Sequence, residues 1–132
     1  MKDLIAVVRD PKSPYEVAFE DDGRVAYAYL RHDAKIVSDV WLYNSAPTPA
    51  QPEWRDRSKM PFLNPQGFVT DKRPPVPSRP EDVSARWVYD GDELKEVEIF
   101  LKGELWAKLA PGVKPGWSKA AAKVGPLAKP LV

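Results

Sequence analysis

The amino-acid sequence predicts a mostly β protein: an antiparallel meander curled into a small sandwich or half-barrel, with a long proline-rich loop. Three observations carry that prediction. Apolar residues recur at period two in Tyr15–Phe19, in Val25–Tyr29 and in Lys95–Leu101, as half-buried strands require. Carboxylate–glycine turns, Glu20-Asp21-Asp22-Gly23 and Asp90-Gly91-Asp92, punctuate those segments. Nine of the 15 prolines fall between residues 45 and 80, where their fixed φ and missing N–H exclude regular structure. With 132 residues the chain has the size of one domain, and 43% hydrophobic residues are enough for its core. The expected organisation is a single domain, 1–132, made of a β-meander (1–44), an ordered proline-rich loop (45–80), further strands (81–109) and a basic extended tail (110–132).

The elements follow in order. Leu4-Ile5-Ala6-Val7-Val8, closed by Arg9 and Asp10, reads as a first strand. Tyr15–Phe19 is the second, and the hairpin corner after it should bury Phe19 and turn Asp21 and Asp22 toward solvent. Val25, Tyr27 and Tyr29 define the third strand, which breaks at Arg31-His32-Asp33-Ala34-Lys35. In the fourth, alternation puts Ile36, Ser38, Val40 and Leu42 on one face and Val37, Asp39, Trp41 and Tyr43 on the other. Apolar residues on both faces predict a strand covered on both sides. Trp54, Met60, Phe62, Leu63, Phe68 and Val69 give the proline-rich loop anchors that a disordered linker lacks, so it should lie packed across the sheet. Ser84–Tyr89, Lys95–Leu101 and Glu104–Leu109 read as strands. Glu, Lys and Leu also suit a helix over 92–109, but the β-branched residues and Gly103 favour strands. From Ala110 on, four prolines, four lysines and no acid describe an extended basic tail ordered by Trp117, with a helical turn or two open at Ser118–Val124. There is no internal repeat.

Composition removes several kinds of chemistry. Twenty basic against 19 acidic residues leave a net charge of +1, without a global field for nucleic acid or anionic lipid. The chain has no cysteine, which excludes thiolate nucleophiles, thiolate metal sites and disulfides. The N-terminal apolar run is too short for a signal peptide or a membrane span, so the expected compartment is the cytoplasm. His32 is the single histidine, which excludes a two-histidine zinc site. No dinucleotide or phosphate-loop glycine pattern and no Gly-x-Ser-x-Gly occurs. We therefore expect no catalytic residue, no metal and no cofactor. Glu20, Asp21 and Asp22 form the densest acidic cluster. They lack the spacing of an EF-hand loop, and neighbouring side chains in a strand-ending turn diverge, so a hairpin turn or a patch for a basic partner is expected. Arg55, Arg57, Lys59, Lys72, Arg73 and Arg79, interleaved with Trp54, Phe62 and Phe68, have the composition of a single-strand nucleic-acid surface. Neutral net charge favours reading these aromatics as loop anchors instead.

Phe19-Glu20-Asp21-Asp22-Gly23, then Tyr27 and Tyr29, and Tyr43-Asn44 closing the fourth strand, form a pattern. It resembles a family of small uncharacterised bacterial proteins whose hairpin reads FEDDG-x-TGYFYA before a strand ending in IYN. Val25-Ala26 and Ala28 depart from the family's Thr-Gly and Phe. The resemblance covers residues 19–44, and the family offers no chemistry to carry over. Small bacterial proteins of this size are similar to immunity proteins, which neutralise a toxin. The expectation is a non-enzymatic protein-binding domain, with a bacterial immunity or accessory role that neutralises or escorts another protein, a toxin in the first case. Its contact residues would be Glu20, Asp21, Asp22, Trp54, Arg55, Arg57 and Met60, because interfaces favour Trp, Met and Arg anchors. One alternative is a small-molecule-binding or enzymatic β-barrel with a pocket lined by Tyr27, Tyr29, Trp41 and Trp87. A single-stranded nucleic-acid binder is the other.

Overall fold

A computed structural model describes residues 3–132. Its first sheet is a meander of β1 (Leu4–Arg9), β2 (Tyr15–Asp21), β3 (Val25–His32) and β4 (Lys35–Asn44), antiparallel throughout and in that order. The second contains β5 (Val83–Asp90), β6 (Glu93–Leu101), β7 (Glu104–Leu109), β8 (Trp117–Ser118) and β9 (Lys129–Pro130). Only β8 and β9 run parallel. The segment 92–109 is therefore strand, and residues 118–124 hold turns and a bridge from Ala121 to Val69 in place of helical turns. The sheets pack face to face without closing into a barrel, β4 against β7 and β8, and β1 against β5.

Register explains the core. Opposite residues in antiparallel ladders share a face, so Ala6, Phe19, Ala28 and Val40 form one inward row. Val8, Val17, Leu30 and Ser38 form the next. These meet Val97, Ile99, Leu101 and Leu109 of the second sheet, all fully buried. Each such side chain contributes roughly 1.5–3 kcal/mol relative to exposure. Trp106 completes the core and donates its indole N–H to the Leu42 carbonyl at 2.8 Å.

Two expectations change at this level. Asp21 lies two residues from Phe19 on the same side of β2, so it turns inward and not toward solvent. It is 8% exposed, accepting from the Tyr43 hydroxyl at 2.6 Å and from Gly23 N–H at 2.9 Å. The buried carboxylate is tolerated because both oxygens are bonded. Asp22 is half-buried and accepts from the N–H groups of Arg24 and Val25 at 2.8 and 2.9 Å, while Gly23 turns the corner at φ 86°. The second change is in β4. Bulges opposite Leu30/Arg31 and Ala26/Tyr27 break the simple alternation. Ile36 pairs with Arg31 on the outer face, away from Val40, and is 47% exposed.

The segment from 45 to 80 has no regular structure beyond two 3-10 turns, η1 (Arg57–Lys59) and η2 (Pro80–Asp82). Side chains from the meander hold it. Arg24 donates to both Glu53 oxygens at 2.6 Å and to the Pro61 carbonyl at 2.7 Å. Tyr27 donates to the Phe62 carbonyl at 2.7 Å. Asn44 exchanges bonds with Asn64, donating to its carbonyl at 2.8 Å and accepting from its N–H at 3.0 Å. Trp54 meets Phe68 edge-on, 5.5 Å between centroids. The C-terminal segment is drawn along β4, where Gly112 and Gly116 donate to the Val37 and Asp39 carbonyls and Trp41 N–H donates to Leu127.

Candidate functional site

The outer face of the first sheet holds the most exposed apolar side chains that lie together on strands. Its rows follow from register: Ile5, Glu20, Tyr27 and Trp41; then Val7, Ala18, Tyr29 and Asp39; then Arg9, Glu16, Arg31 and Ile36. The corner at Tyr27 and Trp41 is closed. Phe62 and Leu127 cover it, leaving a small cleft of about 190 Å³ that Met60 also borders. The rest is open. Ile5, Val7 and Ile36 are 54%, 44% and 47% exposed, and with Tyr29 and Arg31 they enclose a shallow groove of about 440 Å³. Ala18 is the small residue between Val7 and Tyr29, so the depression lies over it.

The groove's lining carries one acid and one base, Glu20 and Arg31. Glu16 is bridged on both sides, by Arg9 at 3.2 Å and Arg31 at 2.8 Å, which leaves that row one positive charge in excess. Glu20 has no ion-pair partner among the described residues. Burial raises the Asp39 carboxyl above its ordinary value, opposed by the Lys114 cation. Burial, then the charges of Glu20, Asp39 and Asp22, pushes the Tyr29 hydroxyl up to about 12. Tyr29 thus stays a neutral phenol in the groove wall. Arg31 Nε is buried without a hydrogen-bond partner in the same wall.

The acidic triplet separates as expected of a turn. Glu20 faces the groove, Asp21 the core, and Asp22 caps the hairpin. Among the described residues no group of three His, Asp or Glu side chains gathers as a metal site would need. Trp54 and Arg55 border a separate depression of about 310 Å³, Arg57 stands exposed in η1, and Met60 is 61% exposed at the rim of the small cleft. The seven candidate contact residues thus divide among the groove, the core, the hairpin cap, the Trp54 depression, η1 and the cleft rim, while Arg24 ties the hairpin to the loop at Glu53 and Pro61. The four aromatics of the alternative pocket divide as well. Tyr27 and Tyr29 stack at 6.1 Å, Trp41 is fully buried, and Trp87 pairs with Val97 in the other sheet. Among the loop aromatics, Phe68 is engaged by Trp54 and by Lys123, whose Nζ lies 4.4 Å from its centroid.

Residue-by-residue reading misses Ile5, Val7 and Ile36 as surface groups, and Arg24 and Asn44 as the loop's anchors. Ile5 and Val7 alternate with Ala6 in a strand whose inner side is its small residue, a pattern visible in retrospect. The outward turn of Ile36 depends on a bulge that alternation does not disclose. Comparison with protein-family models, with curated proteins and with solved structures finds no match to this chain.

Proposed function

We propose that the protein is a non-enzymatic protein-binding domain, and that the open part of the first sheet's outer face receives a segment of its partner. One observation carries this reading: Ile5, Val7 and Ile36 lie about half exposed around the Ala18 depression, with polar residues at the rim. Exposed apolar surface that is contiguous and rimmed by polar groups marks interaction sites, whereas singly scattered residues do not. The chemistry specifies the occupant: an apolar side chain over Ala18 and, beside it, a Lys or Arg head directed at Glu20, Asp39 and the Tyr29 ring. In its specific form the reading makes this a cytoplasmic bacterial immunity or accessory protein: the resemblance of residues 19–44 supports a bacterial protein, and the immunity role rests on likeness of size and organisation.

The test compares capture from the native cell by the wild type, by Ala18→Arg and by Glu20→Lys. Ala18→Arg fills the depression from an outward-facing position, and Glu20→Lys reverses the charge. The proposal expects both to lose the same captured protein while keeping the wild-type melting temperature. Unchanged capture by both variants overturns it. Loss of capture in Trp54→Ala or Arg57→Glu, with the groove variants unaffected, would move the site to the loop.

A further inference from the structure

We propose that β1 is a homodimerisation edge, pairing antiparallel with β1 of a second copy about a two-fold axis at Ala6. This goes beyond the groove and needs no partner in it, because the groove lies on the sheet's face and the new contact on its edge.

The two sheets have four edges between them. An unpaired strand presents a row of free N–H and C=O groups, and proteins blunt such rows with charge, proline, bulges or a covering segment. The β4 edge is covered, since Val37, Asp39 and Trp41 bond to the C-terminal segment. The edge at β9 is two residues long and contains Pro130. On β5, the guanidinium of Arg86 lies against Glu98 at 2.7 Å and a bulge follows Val88. Among the described residues, the interior of β1 carries no charge, proline or bulge, Leu4-Ile5-Ala6-Val7-Val8 being apolar, although η2 and β5 approach it from the second sheet. Among the described residues, its backbone bonds to β2 and to no other segment.

The sequence of this edge is complementary to itself. With Ala6 opposite Ala6 of the second copy, Ile5 falls opposite Val7, Leu4 opposite Val8, and Asp3 opposite Arg9. Every pair joins residues of the same face, because the paired numbers have the same parity. Outward, Ile5 and Val7 of both copies make one apolar cluster, flanked at each end by an opposite-charge pair. Arg9 is available for it, its side chain being 81% exposed. Shifting the register by two residues would set Ile5 against Ile5, or Val7 against Val7, and break both charge pairs. The occupant of this edge is therefore a second copy in one register.

The absence of cysteine makes the register directly readable. Opposed residues in an antiparallel pair have Cβ atoms within reach of a disulfide. Ile5→Cys and Val7→Cys chains, mixed and mildly oxidised, should give the mixed disulfide dimer, with little cross-linking of either variant alone. Dominant Ile5→Cys or Val7→Cys homodimers would overturn the register. A monomeric mass by sedimentation at all concentrations, or a dimer that never cross-links through either position, would overturn the edge contact itself. Charge provides the second readout. Arg9→Asp converts two attractive pairs per dimer into repulsive ones, weakening association about tenfold. Asp3→Arg combined with Arg9→Asp should restore it, although the carboxylate introduced at position 9 still faces Glu16 within its own chain. Failure of the rescue would mean that Arg9 acts through Glu16 alone and would overturn the Asp3 pairing.

Discussion

The outer face of the first sheet contains two regions of similar composition and opposite fate. At the β3–β4 corner, Tyr27 and Trp41 disappear under Phe62 and Leu127, and the polar atoms around them are bonded in a chain: Trp41 Nε1 to Asn44, Asn44 to Asn64, Tyr27 to Phe62. Across the same face Ile5, Val7 and Ile36 are no less apolar, yet nothing in the described chain lies over them. The difference is not in the strands. It lies in where the proline-rich segment and the C-terminal segment are tied, and those ties are polar. Arg24, Tyr27 and Asn44 fix the cover to one corner, and the remainder of the face stays exposed.

The largest effect should come from breaking the closed corner. Trp41 is fully buried, so Trp41→Ala is expected to cost about 3–5 kcal/mol, seen as a fall in urea midpoint. Ile36→Ala, equally outward but half exposed, should cost less than about 1 kcal/mol. Equal costs at the two positions would abolish the distinction between the regions.

Next comes the tie itself. Arg24→Ala leaves the Glu53 carboxylate, 11% exposed, with the Leu63 N–H and the unbonded Lys59 charge alone. Because Arg24 is itself 36% exposed, the cost should be about 1–3 kcal/mol, below that of a fully buried pair. Local release should exceed global loss, so trypsin should cut at Arg55, Arg57 and Lys59 faster than in the wild type well below the melting temperature. Unchanged cutting would show that the apolar anchors hold the cover without the ion pair.

Acid should weaken the same tie. Burial alone would raise the Glu53 carboxyl, but the Arg24 hydrogen bonds, the Leu63 N–H and the Arg24 and Lys59 charges outweigh it and hold it below its ordinary 4.5. A depressed carboxylate stabilises the fold fully above its unfolded value and loses that contribution as pH falls through the folded value. The wild type should therefore lose stability below about pH 4.5, and Glu53→Gln should lose less over that range. Parallel pH profiles for the two proteins would remove Glu53 from the account.

Much of the β architecture is legible in the sequence, because period two and glycine turns are local signals. Strands are readable at Tyr15–Phe19, Val25–Tyr29 and Lys95–Leu101, and so is the hairpin corner at Gly23. What escapes is long-range. Asp21 reads as a solvent-facing turn residue, since nothing near it in sequence announces the Tyr43 hydroxyl 22 residues away. Ile36 reads as sharing a face with Val40, and the bulge at Val37 puts it on the opposite one. Arg24 follows the hairpin glycine, and its partners Glu53 and Pro61 lie 29 and 37 residues further on. The candidate contact residues rest on side-chain type, which does not say whether Glu20 and Trp54 share a surface. In the fold Glu20 lines the groove and Trp54 a different depression.

The smallest stability effect is expected on the open side, and its smallness is the point. Ile5→Thr, Val7→Thr and Ile36→Thr keep the β-branched shape that suits a strand, replacing one methyl or ethyl group by a hydroxyl that water can reach. Were these positions core, each would cost as much as a buried aliphatic, roughly 1.5–3 kcal/mol, with an unpaired hydroxyl added. At 54%, 44% and 47% exposure the loss should stay within about 0.5–1 kcal/mol, within reach of ordinary surface substitutions. Partner capture should weaken in all three, whereas self-association should weaken only for Ile5 and Val7, since Ile36 lies across the sheet from β1. Urea midpoints, capture and sedimentation on the same three variants separate the cases. A cost above about 2 kcal/mol at any of them would mean that the face is covered in solution, and the contrast with the Trp41 corner would fall. Intact stability with loss of both associations at Ile5 and Val7, and of capture alone at Ile36, would assign the edge to the second copy and the face to the partner.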